Sequence, residues 1–154
     1  MNSNVRRHKR SPVVALPQVQ TQALQRAAGS SRVELGQALA MSYNRITIRP
    51  PDLIAKIEFL PTEQGGRTLP AHSGYRPNHD FGLEGTLNDA AHEYIDQETA
   101  GPGETVRAKL WLLAPELQAG RLHPGFKFTV QEGSRVVGRA VVQVVLNAAL
   151  RSDA

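Results

Sequence analysis

Along residues 52–60 apolar and polar positions alternate: Leu53, Ala55, Ile57 and Phe59 fall on one side, Lys56 and Glu58 on the other. A period of two is that of an extended strand with one buried face. The same period returns at Val106, Ala108, Leu110 and Leu112, with Arg107 and Lys109 between them. It returns again at Phe126, Phe128 and Val130, with Lys127, Thr129 and Gln131 opposite. Residues 135–146 are nearly continuous in β-branched and apolar side chains, which predicts a strand covered on much of both faces, with Gly138 allowing a bend or a close approach. Turn residues separate these runs at 64–67 (QGGR), 100–104 (AGPGE) and 131–134 (QEGS), the last joining two strands as a tight hairpin. Short strands at this spacing predict a closed barrel or a sandwich, and closure removes the exposed edges that endanger a small sheet.

The texture before residue 49 is different. Residues 1–16 read as a flexible arm, in which the only apolar cluster, at 13–16, is too short for the core of a secretory signal. Residues 18–28 and 32–42 each carry apolar positions at helical spacing, and Ser31 is placed to cap the second. Isolated helices of that length are marginal in water, so a disordered tail is the alternative to a helical one. Met41 stands just before the strand-rich region, so the first 40 residues also read as a stretch that is not translated. The expected organisation is a basic extension over 1–48, helical or disordered, and a β-domain over 49–154.

Charge sharpens this division. The net charge of +4 is not spread over the chain: six basic residues and no acidic one precede residue 33, and from there on 12 basic residues face 14 acidic ones. A barrel that grips nucleic acid through its phosphates normally carries its own basic excess, and this one does not. No apolar run approaches the ~20 residues of a spanning helix, which predicts a protein without a membrane. There are no cysteines, which removes disulfides and thiolate metal sites and fits a cytoplasmic setting.

One set of motifs is specific. Gly65-Gly66-Arg67-Thr68, then Pro70, then Ser73-Gly74-Tyr75-Arg76-Pro77 resembles the GGR-x-TP-x-x-x-GYRP signature of the C-terminal (third) β-barrel of elongation factor Tu. In the same order, Gly101-Pro102-Gly103-Glu104 resembles that family's MPGD turn, and residues 125–138 (GFKFTVQEGSRVVG) resemble its GLRFAIREGGRTVG hairpin. The likeness covers about residues 52–147. It implies a six-stranded antiparallel closed barrel, which in the family packs on a GTPase domain, touches the T-arm of aminoacyl-tRNA and meets the exchange factor. Carried over by motif, Arg67 and Gly133 match tRNA-contacting positions, Asn78 replaces a contacting glutamine, and Arg76 and Arg135 stand beside them as further cations.

The departures bear on function. No G-x-x-x-x-G-K-[ST] loop occurs in these residues, so GTP binding or hydrolysis by this chain alone is not expected. The family's lysine before a proline is Ala114 here, and its threonine-rich stretch has become residues 82–88, which include Glu84. A lost lysine and an added carboxylate both oppose phosphate binding. Residues 88–100 and 115–124 differ most from the family and read as loops in which a new role would show.

Other chemistry is thin. His72, His79, Asp80 and His92 are the candidate metal ligands, at spacings that match no standard pair. No nucleophile elbow and no paired carboxylates appear. Trp111 falls on the less buried side of its strand, where it reads as core or rim packing, with a cap on the barrel end or a partner anchor as the alternative. The expectation is a binding module without catalytic residues, cofactor or metal, whose partner is a protein of the translation machinery. The alternative is tRNA or RNA, bound through Arg67, Arg76, Asn78, Gly133 and Arg135, with the basic arm at 6–10 (RRHKR) adding phosphate contacts.

Overall fold

The computed structural model describes residues 48–153. The basic arm and the helices expected at 18–28 and 32–42 lie outside the described residues. Eight strands follow in order: β1 (Leu53–Phe59), β2 (Ala71–His72), β3 (Asn78–Asp80), β4 (Asn88–Tyr94), β5 (Thr99–Ala100), β6 (Thr105–Leu112), β7 (Lys127–Glu132) and β8 (Arg135–Val145). Six of them close a barrel in the order β1-β6-β4-β3-β7-β8, and β2 with β5 forms a separate two-stranded sheet. Every neighbouring pair in the barrel is antiparallel. The expected all-β, six-stranded antiparallel barrel is therefore the observed fold. No helix among the described residues is long and apolar enough to cross a membrane.

The alternating strands bury the face their pattern assigns. Leu53, Ala55, Ile57 and Phe59 of β1 point inward beside Val106, Ala108, Leu110 and Leu112 of β6, all in one core cluster with Phe81, Phe128 and Val130. The nearly continuous apolar run of β8 has another cause than the two-sided cover expected for it. Its register slips against β7 at Val130/Gln131 and against β1 at Ile54/Ala55. Each bulge inserts one residue and flips the phase. Val137, Ala140, Val142 and Val145 are thereby the inward residues, while Val144 is exposed. Gly138 is the expected close approach: a Cβ there would sit 3.1 Å from the Glu58 carbonyl oxygen.

Two further readings are corrected. Residues 88–100 are not a loop: Asn88–Tyr94 is β4, a wall of the barrel between β3 and β6. Its outward Ala91 lies opposite Trp111, and both are buried. Trp111 donates its indole N–H to the Arg49 carbonyl at 2.7 Å, so it packs under the segment entering β1 and is no exposed anchor. The 115–124 stretch is tied down as well, because Gln118 and Leu122 are buried and Leu122 bridges to Arg151.

A buried carboxylate pins one pole of the barrel. Asp52 is fully buried just before β1. Arg49 donates to both of its oxygens at 2.8 Å, the Leu112 N–H donates at 2.7 Å and the Asn147 side chain at 2.9 Å. The Asp52 carbonyl also accepts from Leu146 and Asn147, joining the start of the barrel to its end.

Candidate functional site

The residues singled out by the motifs gather around the β7–β8 hairpin. Gly133 forms its turn with φ +61°, a left-handed conformation that glycine adopts without a Cβ penalty. Glu132 ends β7 and pairs with Arg135, which begins β8. Arg67 arrives from the chain reversal after β1. There Gly65 adopts φ +89°, and Gly66 has a different reason to be glycine: a Cβ on it would lie 1.9 Å from the Leu60 carbonyl oxygen. Tyr75, Arg76 and Pro77 run alongside β4, where His92 donates its backbone N–H to the Tyr75 carbonyl at 2.9 Å and Ala90 to that of Pro77 at 3.3 Å. The GYRP segment is thus an extended continuation of β3, consistent with the restriction that proline places on Arg76.

At the centre of the hairpin face is a carboxylate. Glu132 accepts from Arg67 and, at 2.8 Å, from the Tyr75 hydroxyl on one oxygen, and from Arg135 at 2.7 Å on the other. Arg67 also lies over the Tyr75 ring, with Cζ 4.4 Å from its centroid, and donates Nε to the Leu69 carbonyl at 3.1 Å. A planar guanidinium stacked on an aromatic face and bonded at its edge is fixed in place. Burial raises the Glu132 carboxyl, but the Tyr75 hydroxyl and the two arginines outweigh it and hold it below its ordinary value. Burial, then the hydrogen bond to Glu132, pushes the Tyr75 hydroxyl up, so Tyr75 stays a donor at neutral pH.

Of the residues expected here, the structure therefore brings Arg67, Gly133 and Arg135 together. Asn78 is close by in the register, opposite Gln131 of β7, but its side chain donates to Asp89 of β4. Arg76 is exposed on the same extended segment. Sequence reasoning missed Glu132 and Tyr75 as the hub. The signal was there for half of it, since Glu132 and Arg135 are three apart across a glycine turn. The contact of Arg67 with Glu132 spans 65 residues and has no local trace.

The candidate metal ligands do not gather in a group of three or more among the described residues. His72 is exposed on β2, whereas His79 of β3 and His92 of β4 meet inside the barrel with their Nε2 atoms 2.8 Å apart. His79 Nδ1 lies 3.1 Å from the Asn88 carbonyl, which can only accept. The His79 proton is therefore on Nδ1, His92 donates from Nε2, and His92 Nδ1 is a bare, buried acceptor that has no hydrogen-bond partner. Phe81 and Phe128 pack on the His79 ring, Tyr75 and Tyr94 on that of His92. Burial lowers the His79 pKa to about 4, against a smaller opposing effect of the Asn88 carbonyl. Burial and the neighbouring ring lower that of His92 as well. Both imidazoles are neutral at physiological pH.

No protein-family model matches the chain.

Proposed function

We propose that this barrel is a binding module without catalytic residues, related to the C-terminal barrel of elongation factor Tu, and that it recognises a protein of the translation machinery. One observation carries the choice of a protein over RNA. Glu132 engages both Arg67, the cation that the resemblance assigns to tRNA, and its neighbour Arg135, so both are already neutralised by a carboxylate of the same face. A phosphate would have to displace that carboxylate, and its own charge opposes Glu132. The stacked, hydrogen-bonded Arg67–Tyr75–Glu132 surface has the composition of a protein interface, where tyrosine and arginine are enriched. The absence of cysteine fits a cytoplasmic setting.

Arg76, exposed beside this hub, favours the second reading, contact with tRNA or RNA. The two are separated by titrating the full chain with aminoacyl-tRNA and with a translational GTPase from about 50 to about 300 mM salt. Saturable binding to the GTPase that survives high salt supports the first reading. Binding to tRNA with a steep salt slope, weakened by Arg67→Ala, supports the second. Turnover of nucleotide by the purified chain overturns both.

A further inference from the structure

Eleven lysines and arginines lie among the described residues, and the structure gives eight of them a hydrogen bond, an ion pair or another electrostatic contact. The other three, Lys56, Lys127 and Arg139, make no hydrogen bond or ion pair to another described residue, and all three line one depression of about 530 Å³ on the outer wall of the barrel. Scattered solvated cations would not be expected to coincide in this way.

The register explains how they meet. Lys56 of β1 lies opposite Val141 of β8, which lies opposite Lys127 of β7. In the next outward row Glu58 faces Arg139, Arg139 faces Thr129, and Thr129 faces Asp80 of β3. With strands ~4.8 Å apart, the two lysine stems flank the half-buried Val141 at about 10 Å, and Arg139 stands one residue pair along the strands between them. The result is an apolar strip bounded by three cations, with the Glu58 and Asp80 carboxylates in the same row as Arg139. It shares no residue with the Glu132 hub.

We infer that this groove is a docking site for an acidic segment of a protein partner, in which two or three carboxylates flank an apolar side chain. The cations would pair with the carboxylates, and Val141 would cover the apolar side chain. Glu58 and Asp80 select against a nucleic acid, because a continuous phosphate backbone along the groove would run past both. They do not oppose a peptide, whose charges are discrete and whose amide N–H groups can donate to them. The inference rests on the reading of the chain as a binding module and names the chemistry of its partner at a second surface.

The experiment uses the full chain, labelled with nitrogen-15, and three probes: a ten-residue peptide alternating glutamate and leucine, a single-stranded uridine 20-mer and inorganic tripolyphosphate. Peptide binding is expected with amide shifts centred on β1, β7 and β8 around Val141. The triple variant Lys56→Glu/Lys127→Glu/Arg139→Glu should weaken it at least ~10-fold, whereas Lys109→Glu on β6 should leave it within ~2-fold. All three groove residues are exposed, so folding is not at risk, and an unchanged melting temperature checks this. Peptide binding that is equal in wild type and triple variant, or shifts confined to the hairpin, overturns the groove. So does tighter binding of the uridine 20-mer or of tripolyphosphate, which would assign the groove to phosphate. Loss of the GTPase interaction on Arg67→Ala but not in the triple variant would leave the binding-module reading standing and remove the groove alone.

Discussion

Acidification from about pH 7.5 to about 5.5 is expected to remove about 3 kcal/mol of folding free energy through the two buried imidazoles. In the unfolded chain each titrates near ~6.5, whereas in the barrel His79 is lowered to about 4 and His92 also lies well below its ordinary value. Between those values the unfolded state binds more protons than the folded one, so stability falls as pH falls. One unit below the unfolded pKa the loss is on the order of 1–2 kcal/mol for each histidine that stays neutral in the barrel, so the two together lose about 3 kcal/mol. No solvent discount applies, since both side chains are fully buried. For His79 protonation has a steric obstacle as well. A second proton between the Nε2 atoms would set two N–H groups against each other across 2.8 Å. The assay is urea unfolding at the two pH values, with an expected drop in midpoint of ~1–3 M at typical m-values. The control is His79→Leu/His92→Leu. It keeps the volume roughly constant and removes both rings of the pair together, at the cost of the His79 bond to the Asn88 carbonyl, about 1 kcal/mol at either pH. Its midpoint should lose most of the dependence on pH. A wild type that is flat over this range, or a double variant with the same slope as wild type, would refute the reasoning.

Asp52→Ala should cost about 3 kcal/mol, since it leaves the Leu112 N–H buried without an acceptor and unpairs Arg49, which is 40% exposed and recovers part of its loss from water; thermal unfolding should show a drop of roughly 12 °C. Gly66→Ala should prevent folding or destabilise by several kcal/mol, because the added Cβ meets backbone at 1.9 Å, whereas Gly65→Ala should cost only about 1 kcal/mol, the cost of its left-handed conformation; circular dichroism melts of the two variants decide this. Glu132→Gln should release Arg67 and Arg135 and raise affinity for tRNA at low salt by ~10-fold or more if the hairpin is able to read phosphate, and a titration that shows no gain would assign that face to protein.

Four of the six barrel strands were legible: β1, β6 and β7 because each buries one face and exposes the other, as β1 does at Lys56 and Glu58, and β8 because its run of β-branched and apolar residues is long and nearly continuous. The two that were missed violate that pattern for physical reasons. In β4 the outward Ala91 is covered as well as the inward Ala90, His92 and Tyr94, so polarity no longer reports direction. β3, three residues long and closed in by Pro77 and Gly82, is too short to show any period. The same limit hid the histidine pair. The sequence set His79 and His92 beside His72 and Asp80 as candidate metal ligands, and only the pairing of two strands shows that these two alone share one interior face. At the candidate site, motif order identified Arg67, Gly133 and Arg135, but not that one carboxylate ties two of them together. The unpartnered state of Lys56, Lys127 and Arg139 is a property of the whole contact map and leaves no mark on the sequence.

β8 holds hydrogen bonds to β7 on one side and to β1 on the other. Its pairing with β1 joins residues more than 75 apart in the chain, such as Phe59 and Gly138. Contacts of that range form slowly, because a long loop must close before any pairing is gained. During synthesis β1 and β7 would each present an unfilled edge until the final strand has left the ribosome, and open edges of that kind recruit other chains. The last strand is therefore the kinetic lock of the barrel. A chain truncated before Arg135 should accumulate as aggregate rather than as a smaller folded domain.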